Sequence, residues 1–196
     1  MTDENIKIVP LSEEEWKGTP IMMVTESDSY YDVEISDFTD EGCSINIVKK
    51  PANPPIKHTP EEYDFPDRLF EDHWENALAW GVVGENKELL ACIEVCPEEW
   101  SNRLAVTELW VHESLRHKGV AHRLMEIAKD CARQQKRRAL MLETQSCNVN
   151  ALGFYRHEGF ELMGIDRCCY QNNDIERREV RFNMVYFFDM KGRFGE

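Results

Sequence analysis

Arg116-His117-Lys118-Gly119-Val120-Ala121 stands between an apolar, strand-like run, Leu104 to Val111, and a run of helical periodicity that ends near Gln135. Gly119 allows the backbone to turn and to approach a ligand closely, and the amides after it open a helix whose first turn has no internal partners. Such a helix start carries partial positive charge. Arg116 and Lys118 add two full charges, so a phosphate or pyrophosphate is the natural guest; a solvated basic turn is the bland alternative. The stretch is neither a G-x-x-x-x-G-K-[ST] loop nor a G-x-G-x-x-G turn.

Working outward, Val120, Leu124, Ile127, Ala128, Cys131 and Ala132 recur at helical spacing, with Arg123, Glu126, Lys129, Asp130 and Arg133 between them. This predicts a one-faced helix on a sheet. Ala139 to Glu143 reads as a buried strand, parallel to the one before the loop because strand, helix and strand follow in order. Asn148 is placed to cap a second helix through Tyr155 and His157, with Gly159 ending it. On the other side, Leu78 to Val83 and Leu89 to Val95 flank the turn Gly84-Glu85-Asn86-Lys87, which predicts a hairpin, and Leu104 to Val111 adds a third antiparallel strand.

The remaining chain is less regular. Ile6-Lys7-Ile8-Val9 reads as a short strand, and Tyr30 to Phe38 and Ser44 to Val48 alternate as half-buried strands do. Pro51, Pro54, Pro55 and Pro60 are expected to end the second of these in a loop. A last antiparallel hairpin is expected near Leu162 to Tyr170 and Val180 to Phe188, turning at Asn172-Asn173-Asp174. Between Glu61 and Glu75, acids and aromatics alternate: Tyr63, Asp64, Phe65, Asp67, Phe70, Glu71, Asp72, Trp74 and Glu75. This is either a solvated face or a wall that attracts an amine and holds it by cation–π contact.

Composition narrows the function classes. At 196 residues the chain is long enough for one well-packed domain, and a single domain over 1–196 is expected. A formal charge of −14 argues against nucleic acid and favours cationic partners. The start, Met1-Thr2-Asp3-Glu4, has no basic, apolar leader, and no apolar run approaches about 18 residues, so no membrane span is expected. Seven cysteines, an odd number without a C-x-x-C pair, suit a reducing cytoplasm and suggest neither a zinc site nor a paired nucleophile. No metal is expected.

The block from Leu104 to Gly164 resembles the acetyl-CoA site of the GNAT acetyltransferase superfamily, whose signature [RQ]-x-x-G-x-[GA] is met by Arg116, Gly119 and Ala121. Leu142-Glu143-Thr144-Gln145, Asn148, Phe154-Tyr155, Gly159-Phe160 and Gly164-Ile165-Asp166 narrow the resemblance to the streptothricin (nourseothricin) acetyltransferases, and Trp100-Ser101-Asn102-Arg103 is similar to that group too. The resemblance implies an α/β GNAT fold: a mixed sheet of about six or seven strands, splayed between the fourth and fifth, with helices on both faces. It implies acetyl-CoA as co-substrate, its binding core at about 104–164, and transfer to the amine of a small cationic acceptor, with streptothricin as the candidate, in a monomer or homodimer. A protein lysine or N-terminus as acceptor, and a non-catalytic acyl-CoA-binding module, stay open as other readings.

By the same resemblance, main-chain groups of Leu109 and Val111 pair with the pantetheine arm. Arg116, His117, Lys118, Gly119, Val120 and Ala121 hold the diphosphate, Asn148 touches the pantetheine, and Tyr155 protonates the departing thiolate. Glu108 is the first choice for the group that meets the amine, as base or as anchor, with a plain structural role as its third reading and Glu143 and Asp166 in reserve. Relatives place two acids side by side at this point of the strand; here Thr107 precedes Glu108.

Overall fold

The computed structural model describes residues 6–62 and 67–188. Met1 to Glu4, with the leader reading, and Tyr63, Asp64 and Phe65 of the acidic stretch lie outside the described residues. In chain order the elements are β1 (Val9–Leu11), α1 (Glu13–Trp16), β2 (Thr25–Ile35), β3 (Ile45–His58), β4 (Leu78–Val83), β5 (Leu89–Glu98), β6 (Arg103–Val111), α2 (Val120–Gln134), β7 (Ala139–Gln145), α3 (Val149–His157), β8 (Glu161–Asp166), α4 (Asp174–Arg177) and β9 (Arg181–Phe187). No helix among the described residues is long and apolar enough to cross a membrane.

The strands form a seven-stranded sheet in the order β1-β4-β5-β6-β7-β9-β8, and β2 and β3 form a two-stranded sheet of their own. The larger sheet is mixed: β1, β4, β5 and β6 pair antiparallel, and β6 and β7 pair parallel. By tertiary contacts the chain divides into two compact units, one holding described residues 6–23, 67–142 and 185–188, the other 24–62 and 143–184.

In the first unit, β6 pairs with β7 over Arg103–Val106 against Ala139–Leu142, and among the described residues that pairing goes no further. Since β6 continues to Val111, the fourth and fifth strands of the sheet part where the splay is expected. Packing explains why α2 forms: its buried residues are Val120, Leu124, Met125, Ala128, Lys129, Cys131 and Ala132, and it lies against β5 and β6. Lys129 breaks the expected pattern. It is 5% exposed, with Nζ 2.8 Å from Glu126 Oε1 and 5.0 Å from the centre of the Tyr186 ring, so its stem packs while its charge finds a carboxylate and an aromatic face. A second core gathers Leu11, Trp16, Ile21, Leu69, Phe70, Ala79 and Cys92, with Trp110 packed against it.

The strand expected over Tyr30 to Phe38 is β2 at Thr25–Ile35, and three other boundaries that differ from expectation stand out. The first strand begins at Val9 rather than Ile6. β3 runs through Pro51, Pro54 and Pro55 to His58 instead of stopping. Both strands of a two-stranded sheet are edges, and the register steps from Ser29↔Pro51 to Ser27↔Ile56, so Pro54 and Pro55 lie in a bulge where no ladder donor is required. The third is the expected turn at Asn172-Asn173-Asp174, which opens the short helix α4. Asp174, 1% exposed, accepts the Tyr170 and Gln171 amides at 2.9 and 2.7 Å, which tightens the chain locally.

Candidate active site

Within the first unit, one irregularity in β6 decides where its charges go. The register with β5 passes from Val106↔Val95 to Glu108↔Glu94, leaving Thr107 as the extra residue of a bulge. A bulge sets two residues opposite one and re-aims them. Thr107 Oγ1 donates to Glu94 Oε1 at 2.8 Å, and the Phe70 amide donates to Glu94 Oε2 at 2.6 Å. Glu94 is fully buried. Burial pushes its carboxyl above the ordinary range, and the Phe70 and Thr107 donors pull it back. Glu108, only partly exposed, is held well above the ordinary carboxylate range by burial first and then by the charges of Asp67, Glu94 and Glu71. The acidic stretch before β4 thus supplies two of the carboxylates that act on Glu108. On the neighbouring strand, Glu94 lies directly opposite Glu108.

Sequence reasoning missed Glu94. Its signal was present as a single charge in the apolar run Leu89-Leu90-Ala91-Cys92-Ile93-Glu94-Val95, where a carboxylate needs dedicated donors to be buried. Two positions earlier on the same strand face, burial pushes the Cys92 thiol well above its usual range, with Glu108 and Glu94 adding to it, so this cysteine is an inert core group.

Beyond the bulge, the alternation of antiparallel pairing settles where the main chain points. The His112 amide donates to the Leu90 carbonyl at 2.9 Å, making 112 and 90 a hydrogen-bonded pair. One residue back, Val111 opposite Ala91, and two further back, Leu109 opposite Ile93, therefore turn their N–H and C=O groups away from β5. That is the side on which pairing with β7 has ended. The Val111 carbonyl is met instead by Arg116 Nε at 3.5 Å.

The loop itself is bent by two left-handed residues, His117 at φ 60° and Gly119 at φ 71°. Lys118 Nζ folds back onto the Ser114 carbonyl at 2.8 Å. Gly119 occupies the N-cap of α2 and brings no side-chain cap, and the first turn has no acidic residue, so the amides there meet no competing carboxylate. An added Cβ at Gly119 would meet nothing within 4 Å. Gly119→Ala therefore lowers stability by about 1 kcal/mol, from left-handed strain alone, which thermal melting reads as a Tm loss of about 2–4 °C. A loss several times larger would require a packing role that the open space contradicts.

In the second unit, Asn148 is the N-cap of α3, its Oδ1 accepting the Ala151 amide at 3.4 Å. Asn148→Ala should cost about 0.5–1 kcal/mol, the lower part of the range for caps because the bond is long, again read by melting. Tyr155 lies two turns further along, 9% exposed, its ring 5.6 Å from Phe154 and 6.1 Å from Phe160. The two reserve carboxylates are engaged: Arg181 reaches Glu143 at 2.9 Å and Asp166 at 3.3 Å. Either would have to give up this shared cation to take a proton.

A mixed sheet whose fourth and fifth strands part, followed by an uncapped helix start behind a basic turn, defines an acyl-transfer frame. The acetyltransferase (GNAT) family profile matches residues 44–160, more than half of the chain, and the chain belongs to that family. It is 30% identical over 147 residues to a streptothricin acetyltransferase of Streptomyces lavendulae, covering 71% of this chain and 74% of the relative. A streptothricin acetyltransferase of Escherichia coli is 32% identical over 117 residues, 60% of this chain and 66% of the relative. In fold, the chain is similar to a crystal structure of nourseothricin acetyltransferase, with a TM-score of 0.71, 23% identity, and coverage of 92% of this chain and 97% of that one. A putative streptothricin acetyltransferase from Bacillus anthracis, solved in complex with acetyl coenzyme A, gives a TM-score of 0.69 at 22% identity, covering 94% and 98%.

Proposed function

We propose that this acetyltransferase moves the acetyl group of acetyl-CoA to an amine of a small cationic acceptor, of the streptothricin type, by direct transfer in a ternary complex. The observation that carries the cationic acceptor is the bulge at Thr107, which sets Glu108 beside buried Glu94 and under the charge of Asp67 and Glu71. An ammonium group is the guest such a site attracts, and the exposed part of Trp110 offers it an aromatic face.

In this reading the diphosphate rests against the first-turn amides of α2, with Arg116 and Lys118 adding charge and His117, Val120 and Ala121 completing the bend. The pantetheine arm pairs with the outward main-chain groups of Leu109 and Val111, and Asn148 contacts it. The acceptor arrives as an ammonium and must lose a proton before its nitrogen can attack the thioester carbon. Glu108, whose surroundings favour its protonated form, accepts that proton. As the C–N bond forms, the C–S bond breaks, and Tyr155 protonates the leaving sulfur. The proton still on the new amide nitrogen then restores the phenol. None of the seven cysteines is needed as an acyl carrier.

Turnover of acetyl-CoA against streptothricin, aminoglycosides, polyamines and peptides tests the reading. Acetylation of streptothricin, with peptides inert, is the expected result. Peptide acetylation alone would move the activity to protein amines, and CoA binding without turnover on any amine would make the chain a binding module.

A further inference from the structure

Resting on that reading and deepening it, we infer that Glu94 is a positioning residue for proton transfer at Glu108: its buried carboxylate, pinned across the bulge, sets how readily Glu108 takes the acceptor's proton. The geometry is specific. Glu94 and Glu108 are direct partners in the β5–β6 register, and Thr107, the inserted residue, spends its hydroxyl on Glu94 Oε1. The Phe70 amide fixes the other oxygen. An amide donates and never accepts, so Oε2 must present a lone pair, and with Thr107 on Oε1 these donors pull the Glu94 carboxyl back against its burial, so that it rises less than Glu108 and ionises first.

A fully buried carboxylate at a sheet centre is costly unless it serves something. Its hydrogen bonds do not join distant parts of the chain that lack other contacts, because Phe70 already packs in the core around Leu69 and Ala79. What Glu94 supplies is a fixed negative charge behind Glu108. The other groups that face this pair are Asp67 and Glu71 from the segment before β4, which act on Glu108 in the same sense. His73, 3.3 Å from Glu71, acts on Glu94 in the opposite sense, and the Cys92 thiol lies on the same strand face. Two carboxyls this close titrate as a pair, and the better hydrogen-bonded member leaves the proton to its neighbour. Glu94 thereby makes Glu108 a stronger base than a lone glutamate, which is what removing a proton from an ammonium requires.

The test is the pH profile of kcat/KM together with infrared difference spectra that follow the Glu108 carboxyl, its band assigned with Glu108→Gln. In Glu94→Gln, the same size and able to keep both hydrogen bonds once Thr107 turns, the acid limb and the Glu108 band should both move to lower pH by about one unit or more, the scale of coupling between paired carboxyls. Glu94→Asp restores the charge and should return the limb toward its original position. Because Glu94 ionises while Glu108 still holds its proton, its own band should stay in place in Glu108→Gln. Glu94→Ala, which removes the charge without a polar replacement, should move the Glu108 band as Glu94→Gln does and decides the matter even if Glu94→Gln does not fold. An unmoved Glu108 titration in folded Glu94→Gln or Glu94→Ala, or an Asp variant no different from the Gln variant, would each overturn the inference. If the unsubstituted enzyme acetylates no amine at all, the proposed function fails, yet the infrared titrations still decide the coupling.

Discussion

Glu108→Gln should lower kcat by about 10²- to 10⁴-fold, the range for losing a positioned general base, while making the protein more stable at neutral and alkaline pH. The two effects have one cause. Burial and the charges of Asp67, Glu94 and Glu71 hold the Glu108 carboxyl well above its ordinary value of 4.5. Below that ordinary value the side chain is protonated in folded and unfolded chains alike, and its contribution to stability is fully present. As pH rises past it, the unfolded chain releases the proton while the folded chain keeps it, so stability is lost until Glu108 itself ionises. Glutamine does not titrate. The Tm of the variant should therefore exceed that of the parent at about pH 8 and the gap should close by about pH 4, each kcal/mol reading as about 2–4 °C. Steady-state kinetics separate the roles that the sequence left open: a base shows its loss in kcat, whereas an anchor shows a raised KM with kcat kept. A variant whose melting gap does not change with pH would mean that Glu108 does not sit among like charges as described.

The frame of this site was legible because it is written in local chemistry. Gly119 stands at φ 71° where a loop must turn into a helix, and Asn148 caps α3 with its own side chain, both positions where few residue types serve. The parallel crossover from β6 through α2 to β7 follows from element order. The polar heart of the site was not legible, since it depends on register. Nothing in Val106-Thr107-Glu108 announces that Thr107 is the inserted residue, and without the bulge Glu94 is only a charge out of place in an apolar run. The prolines of β3 and the acid at the start of α4 misled for a related reason. Pro54 is excluded from a ladder but tolerated in a bulge, and Asp174 bonds backward to Tyr170 and Gln171 instead of forming a tight turn between β8 and β9, which still lie side by side in the sheet.

Tyr155→Phe should cut kcat by about 100-fold or more while leaving the dissociation constant for CoA within error of the parent. The substitution keeps the ring and its contacts with Phe154 and Phe160, so core packing survives and Tm should fall by no more than one hydrogen bond costs, about 0.5–1.5 kcal/mol or about 1–6 °C. Only the hydroxyl is lost, and with it the proton proposed for the leaving sulfur. A thiolate is already a good leaving group, which sets a ceiling on the deficit: the acid helps the departure of the sulfur but does not create it. The loss should therefore be smaller than that of Glu108→Gln when chemistry limits turnover, because an ammonium cannot attack until its proton has gone. It should also shrink as pH falls, once solvent acid can replace the phenol, whereas the Glu108→Gln loss should shrink as pH rises and free amine becomes available without a base. Calorimetric titration with CoA and steady-state rates across pH measure both arms. Equal turnover in the phenylalanine variant would take Tyr155 out of the mechanism. A large fall in Tm with the rate deficit independent of pH would make it a core residue whose hydroxyl bond supports the helix.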